Sequence, residues 1–162
     1  MTEDEYCDAF ATGLLEDTPF RHWVLVRTGY PDRRRSALLY DEQRLRPAKR
    51  WWRHWWTELP DGSQSETDIF AAFKDEADGL RFALHIECKK DTSSFMPNQA
   101  QQYATRAEFM KANRWVPYSE YATVLLAPRS FVSKYAAEAE LFSTVLTFES
   151  VADWLPAFRA VA

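Results

Sequence analysis

Asp68, Glu87 and Lys89 are the residues whose types and spacing promise chemistry. Glu87 and Lys89 lie two apart in the run Leu80 to Lys90, whose apolar–polar alternation predicts a strand. Side chains two apart on a strand share a face, so this carboxylate and ammonium point the same way. Phe82, Leu84, Ile86 and Cys88 take the opposite, apolar face, while Ala83 and His85 join Glu87 and Lys89. Asp68 falls near the start of a second strand-like run, Glu66 to Lys74, and Asp75 to Gly79 reads as the turn of a hairpin. The hairpin brings Asp68 beside Glu87. Two converging carboxylates suit a hard divalent cation, Mg²⁺ or Mn²⁺, which accepts one or two carboxylates and keeps several waters. A lysine beside that cation can orient a water or offset the charge that builds on a phosphate. Glu66, two before Asp68, offers a third carboxylate, and His85 stands on the face of Glu87.

A helix predicted over Ala100 to Asn113, entered through Pro97, follows the second strand. Gln99, Tyr103 and Arg106 are spaced i, i+4, i+7 and project from one face of it.

Asp68, then Glu87-Cys88-Lys89, then Gln99-x-x-x-Tyr103 resembles the PD-(D/E)XK nuclease superfamily, in the subset whose motif is followed by QxxxY. Thr67 stands where the motif's proline would be. The resemblance spans about residues 50 to 126 and implies a restriction-endonuclease-like core of helix, three-stranded meander, helix and strand. It implies a metal-dependent hydrolase acting on DNA phosphodiester bonds, in repair or in defence against foreign DNA. Asp68 and Glu87 would be metal ligands, helped by the Cys88 carbonyl, and Lys89 would position the attacking water. Gln99 and Tyr103 would touch DNA or brace the site. A glutamate of the first helix, Glu5 or Glu16, would complete the cluster. Cutting both strands needs two centres, which suits a homodimer. The same resemblance admits an alternative, a catalytically silent module that binds nucleic acid or protein on the same fold.

The elements around these residues read as an α/β domain with a mixed central sheet flanked by helices, spanning residues 1–162. Thr2 and Glu5 fit a capping box for a first helix carrying Tyr6, Phe10 and Leu14. Thr18 and Pro19 read as the cap and first residue of a second helix, although its Val-Leu-Val stretch also suits a strand. Residues 47–59 are open between a helix with Trp51, Trp52, Trp55 and Trp56 on one face and a strand that turns at Pro60 to Ser63. Those tryptophans read as core or packing edge, with base stacking as the sharper alternative. Strands over Tyr121 to Leu126 and Leu141 to Glu149 alternate with helices over Phe131 to Glu140 and Ser150 to Ala160.

Composition narrows the function classes. Of 162 residues, 46% are apolar and 27% charged, which excludes disorder. Neither GxxxxGK[ST] nor GxGxxG occurs, so the common nucleotide-cradling loops are missing. His22, His54 and His85 are too dispersed for a zinc motif, and no GxSxG elbow occurs. The absence of a long apolar run predicts no membrane span, and the acidic start predicts no secretory leader. Two cysteines outside any CxxC pair fit a cytoplasmic protein. Net charge is −4, yet residues 33–56 carry eight Lys/Arg against two acids, and residues 1–18 carry six acids and no base. A basic segment of that kind can track a DNA backbone or form a solvated face.

Overall fold

Thr2 and Glu5 close the expected capping box. The Thr2 hydroxyl accepts from the Glu5 amide at 3.2 Å, and Glu5 Oε2 accepts from the Thr2 amide at 2.7 Å. They start α1 (Glu3–Glu16), which buries Tyr6, Cys7, Phe10 and Leu14. The computed structural model describes residues 1–161. The second helix, α2 (Thr18–Arg27), is capped by Asp17 and not by Thr18, because Asp17 Oδ1 accepts from the Phe20 amide at 2.9 Å. Val24 and Leu25 are buried within it and Val26 is exposed, so the Val-Leu-Val stretch is helical.

A short strand β1 (Ala37–Leu38) and the turn-length helix α3 (Tyr40–Gln43) follow. Residues 47–59 form no helix: β2 (Trp55–Glu58) pairs antiparallel with β3 (Gln64–Thr67), Trp55 opposite Thr67 and Trp56 opposite Glu66. Strand alternation replaces the single aromatic face, since Trp55 is buried and Trp56 exposed.

The central sheet comprises β1, β4 (Ile69–Lys74), β5 (Arg81–Cys88), β6 (Glu120–Ala127) and β7 (Thr144–Thr147), in the order β1-β4-β5-β6-β7. Pairing is antiparallel from β1 to β5 and parallel from β5 to β7. The parallel β5–β6 pair requires a crossover, which α4 (Gln99–Phe109) supplies. This is an α/β fold with a mixed five-stranded sheet flanked by helices.

The alternation in β5 sorts side chains as expected. Phe82, Leu84, Ile86 and Cys88 pack with Phe10, Leu14, Phe20 and Leu25 of α1 and α2 and with Phe148 and Val151 of α7 (Phe148–Val151). Ala83 faces the other way, with Trp55, Phe70 and Tyr118. On that side Tyr103 of α4 packs with Leu125 of β6, Phe131 of α5 (Arg129–Lys134) and Ala139 of α6 (Ala136–Ala139). The helix expected over Phe131 to Glu140 is thus two short ones, and the strand expected over Leu141 to Glu149 shrinks to β7. The helix expected over Ser150 to Ala160 is broken into α7, capped by Thr147, whose Oγ1 accepts from the Ser150 amide at 3.2 Å, and a 3-10 segment, Pro156–Val161. Among the described residues no helix is long and apolar enough to cross a membrane.

Candidate active site

Asp68 splits the expected strand Glu66 to Lys74 in two. Residues before it form β3 of the small hairpin, and residues after it form β4 of the central sheet. The Cys88 amide donates to Asp68 Oδ2 at 3.0 Å, just past the end of the β4–β5 ladder at Ile69–Ile86. The carboxyl groups of Asp68 and Glu87 therefore meet at the end of β5. Burial, reinforced by the negative charge of Glu87, pushes the Asp68 carboxyl well above the usual carboxylate range. The Cys88 amide and Lys89 pull the other way and offset only part of this.

Glu87 is 1% exposed and densely bonded. Its Oε1 takes Lys89 Nζ at 2.8 Å and Gln99 Nε2 at 2.5 Å, and its Oε2 accepts from the Tyr103 hydroxyl. Burial opposes the charge on Lys89, but Glu87 and Asp68 more than offset it, so its pKa is raised and it remains an ammonium. Burial, then the charges of Glu87 and Asp68, hold the Tyr103 phenol well above its ordinary pKa, keeping it a donor. The Gln99 amide is itself oriented, since its Oε1 accepts from the Met96 amide at 3.0 Å. The i, i+4 pair on α4 thus converges on one carboxylate.

Arg106 shares that helix face but points elsewhere. It is buried over the Tyr103 ring, 4.2 Å from its centroid, and donates through Nε to Ser65 Oγ at 2.8 Å. It ties β3 to α4 and is out of a substrate's reach. His85 is equally internal: Nδ1 lies 3.0 Å from Thr67 Oγ1 and Nε2 lies 2.7 Å from the Tyr118 hydroxyl. Burial drives its pKa down to about 3, so both ring nitrogens are committed and the ring is neutral. Arg106 and His85 brace the hairpin and sheet that carry Asp68.

An opening of about 160 Å³ lies against Asp68 and is lined by Glu3, Asp4, Glu66 and Arg53 as well. Glu66 belongs to the site, but its Oε1 lies 2.8 Å from His54 Nδ1. The acidic contribution of α1 comes from Glu3 and Asp4. Glu5 is committed to the capping box. Glu16 sits at the far end of the helix, about 20 Å along its axis from Glu3. Glu3 Oε1 accepts from the Lys90 amide at 3.3 Å and from the Ser93 hydroxyl, which fixes it beside the end of β5. A larger depression, about 440 Å³, lies at the opposite end of β5 among Asp78 to Arg81 and Pro117 to Ser119 and gathers no comparable set of charged groups.

About half of the basic segment is paired with acids of the chain itself. Arg53 pairs with Asp4, and Arg50 lies 3.8 Å from Asp4 and 3.6 Å from Asp8. Arg33 pairs with Asp75 at 2.7 Å and Asp78 at 2.9 Å. Arg46 donates to the His54 carbonyl at 2.9 Å. The acidic start and the basic segment thus dock onto each other, and these arginines are not arrayed as a free track for phosphates.

Among the described residues no three His, Cys, Asp or Glu side chains converge as a ready-made metal-ligand group. Asp68 and Glu87 do converge. Their carboxyl groups, with the pKa of Asp68 raised by burial and by the charge of Glu87, form a donor pair that a hard divalent cation fits. The adjoining opening has room for the waters such a cation retains. No family model, curated protein or solved structure matches this chain.

Proposed function

We propose that the chain is a Mg²⁺- or Mn²⁺-dependent nuclease of the PD-(D/E)XK type that hydrolyses DNA phosphodiester bonds. The observation that carries this reading is the convergence on Glu87 of Asp68, Lys89, Gln99 and Tyr103, residues drawn from a bend, a strand end and a helix face. A surface Glu–Lys pair needs none of these partners, and it would not be buried.

Asp68, Glu87 and the Cys88 carbonyl would hold the cation, which supplies Lewis acidity to the scissile phosphate and acidifies a bound water. Lys89 then has two tasks. Its ammonium orients the attacking water, and its charge offsets the negative charge that grows on the phosphoryl oxygens. Gln99 and Tyr103 hold Glu87 in one orientation. Glu3 and Glu66 keep the opening acidic and wet. Hydrolysis breaks one P–O bond and leaves a phosphate monoester on one strand end and a hydroxyl on the other. The test is incubation of supercoiled DNA with Mn²⁺: the wild type nicks it, and Lys89→Met does not. Equal cutting by both would place the chemistry elsewhere.

One observation favours the second reading, a silent nucleic-acid-binding module. Both Glu87 oxygens already have protein donors, so the cation must displace Lys89 or Gln99 from Oε1. A protein that binds DNA but does not hydrolyse it under any divalent cation would establish that reading.

A further inference from the structure

We propose that an aromatic recess beside the carboxylate opening receives an unpaired nucleobase, so that the DNA bound here is single-stranded. The inference rests on the nuclease reading for the position of the scissile phosphate. Trp56 lies directly across the β2–β3 ladder from Glu66. Directly opposed residues project from the same face of a ladder, with Cβ atoms about 5 Å apart. Glu66 lines the carboxylate opening, and Trp56, 55% exposed, projects beside Glu66 from the same face of the ladder.

A recess of about 310 Å³ continues from that ring, walled by Trp55, Trp56, Phe109 and Trp115 with Arg46 and His54 at its border. The His54–Glu66 contact links the recess to the carboxylate opening, since His54 lines one and Glu66 the other. One nucleotide can therefore place its phosphate at Asp68 and its base against Trp56.

The border is held in a costly conformation. His54 has φ 61°, the left-handed region that non-glycine residues avoid. Arg46 holds it there through the His54 and Arg53 carbonyls, and its guanidinium lies 4.3 Å from the Trp55 ring centroid. Strain of this kind persists where surrounding structure imposes it, and it fixes the ring that divides the two openings. Flat π faces with bordering guanidinium groups suit a base and its phosphate. Arg114 lies 4.6 Å over the ring of Trp115, which adds a second cation against one aromatic wall. No carboxylate lines the recess among the described residues. Bases within a duplex are covered by their neighbours and cannot lie on Trp56, which is why the ligand is unpaired.

The test compares a twelve-residue oligothymidylate with a blunt duplex of equal length, by fluorescence anisotropy in Ca²⁺ and in EDTA. The single strand should bind at least tenfold tighter than the duplex. Trp56→Ala should weaken single-strand binding about tenfold, the effect of losing one stacked base, and leave duplex binding within twofold. Because Trp56 is exposed, the variant should melt within a few degrees of wild type, which controls for folding. Preference for the duplex, no binding of the single strand in either buffer, or a Trp56→Ala affinity within twofold of wild type overturns the proposal. Single-strand preference lost in Trp56→Ala, without Mn²⁺-dependent hydrolysis, would leave the recess standing and remove the nuclease reading. Hydrolysis with no dependence on Trp56 would do the reverse.

Discussion

The Cys88 amide donates to Asp68 Oδ2 at 3.0 Å, joining the bend after β3 to the end of β5. That single bond decides where the acidic pair forms. It holds Asp68 against Glu87 in spite of their like charges and lowers the Asp68 pKa, although burial and the charge of Glu87 keep that pKa raised overall. Charge and geometry can therefore be separated at this position, because asparagine retains an acceptor for Cys88.

Asp68→Asn should stabilise the metal-free protein. A carboxyl whose folded pKa is raised costs stability at any pH where it must ionise, and that cost disappears on acidification or on neutral substitution. A higher melting temperature than wild type is expected in EDTA at neutral pH. The thermal shift caused by Mn²⁺ in the wild type should vanish. Melting curves with and without Mn²⁺ measure both effects, and a destabilised variant that still responds to Mn²⁺ would refute this account of the pair.

Tyr103→Phe removes a buried donor from Glu87 without opening a cavity. The orphaned carboxylate oxygen should lower stability by about 1–3 kcal/mol. Urea titration should show a lower midpoint with an unchanged slope. An unaltered midpoint would mean that Gln99 and Lys89 satisfy Glu87 alone.

Arg106→Lys keeps a positive charge but loses the fork that reaches Ser65 and Thr67. The hairpin should loosen from α4, with a loss of about 2 kcal/mol. Hydrogen exchange at the β3 amides should quicken while exchange in β6 is unchanged.

Much of this arrangement was legible in residue order. Alternation in β5 places Glu87 opposite the apolar face, and the i, i+4 spacing of Gln99 and Tyr103 aims both at one point. What was hidden depends on contacts distant in sequence. The break at Asp68 is imposed by two different sheets claiming the residues on either side. The tryptophans of residues 51–56 match a helical face, but the ladder with β3 and the left-handed backbone at His54 override that periodicity. Glu3 carried a local signal: it lies four before Cys7 and so borders the buried face of α1, whereas Glu5 was already bound to its cap. The docking of Arg50 and Arg53 onto Asp4 and Asp8 joins segments more than forty residues apart, although opposite charges in two blocks foreshadow it.

Acid should destabilise the protein through His85. Its folded pKa lies near 3 against an unfolded value near 6.5, so between these values the unfolded chain binds the extra proton. Stability is fully present above pH 6.5 and falls as pH drops toward 3, by about 1.4 kcal/mol per unit for one proton. Asp68 acts in the opposite direction, and it is common to wild type and His85→Gln. The difference between their stability–pH curves should therefore isolate His85, and parallel curves would show that His85 is charged or exposed in the native state.

The most direct measurement is hydrolysis of supercoiled plasmid DNA, whose underwinding exposes unpaired bases, by purified wild type, Asp68→Asn and Lys89→Met, each with Mg²⁺, with Mn²⁺ and with EDTA. The wild type should convert plasmid to nicked or linear forms only with a divalent cation, and both variants should lose at least a hundredfold in rate. Cleavage that persists in EDTA, or that Asp68→Asn and Lys89→Met retain, would contradict a metal-dependent centre at the end of β5.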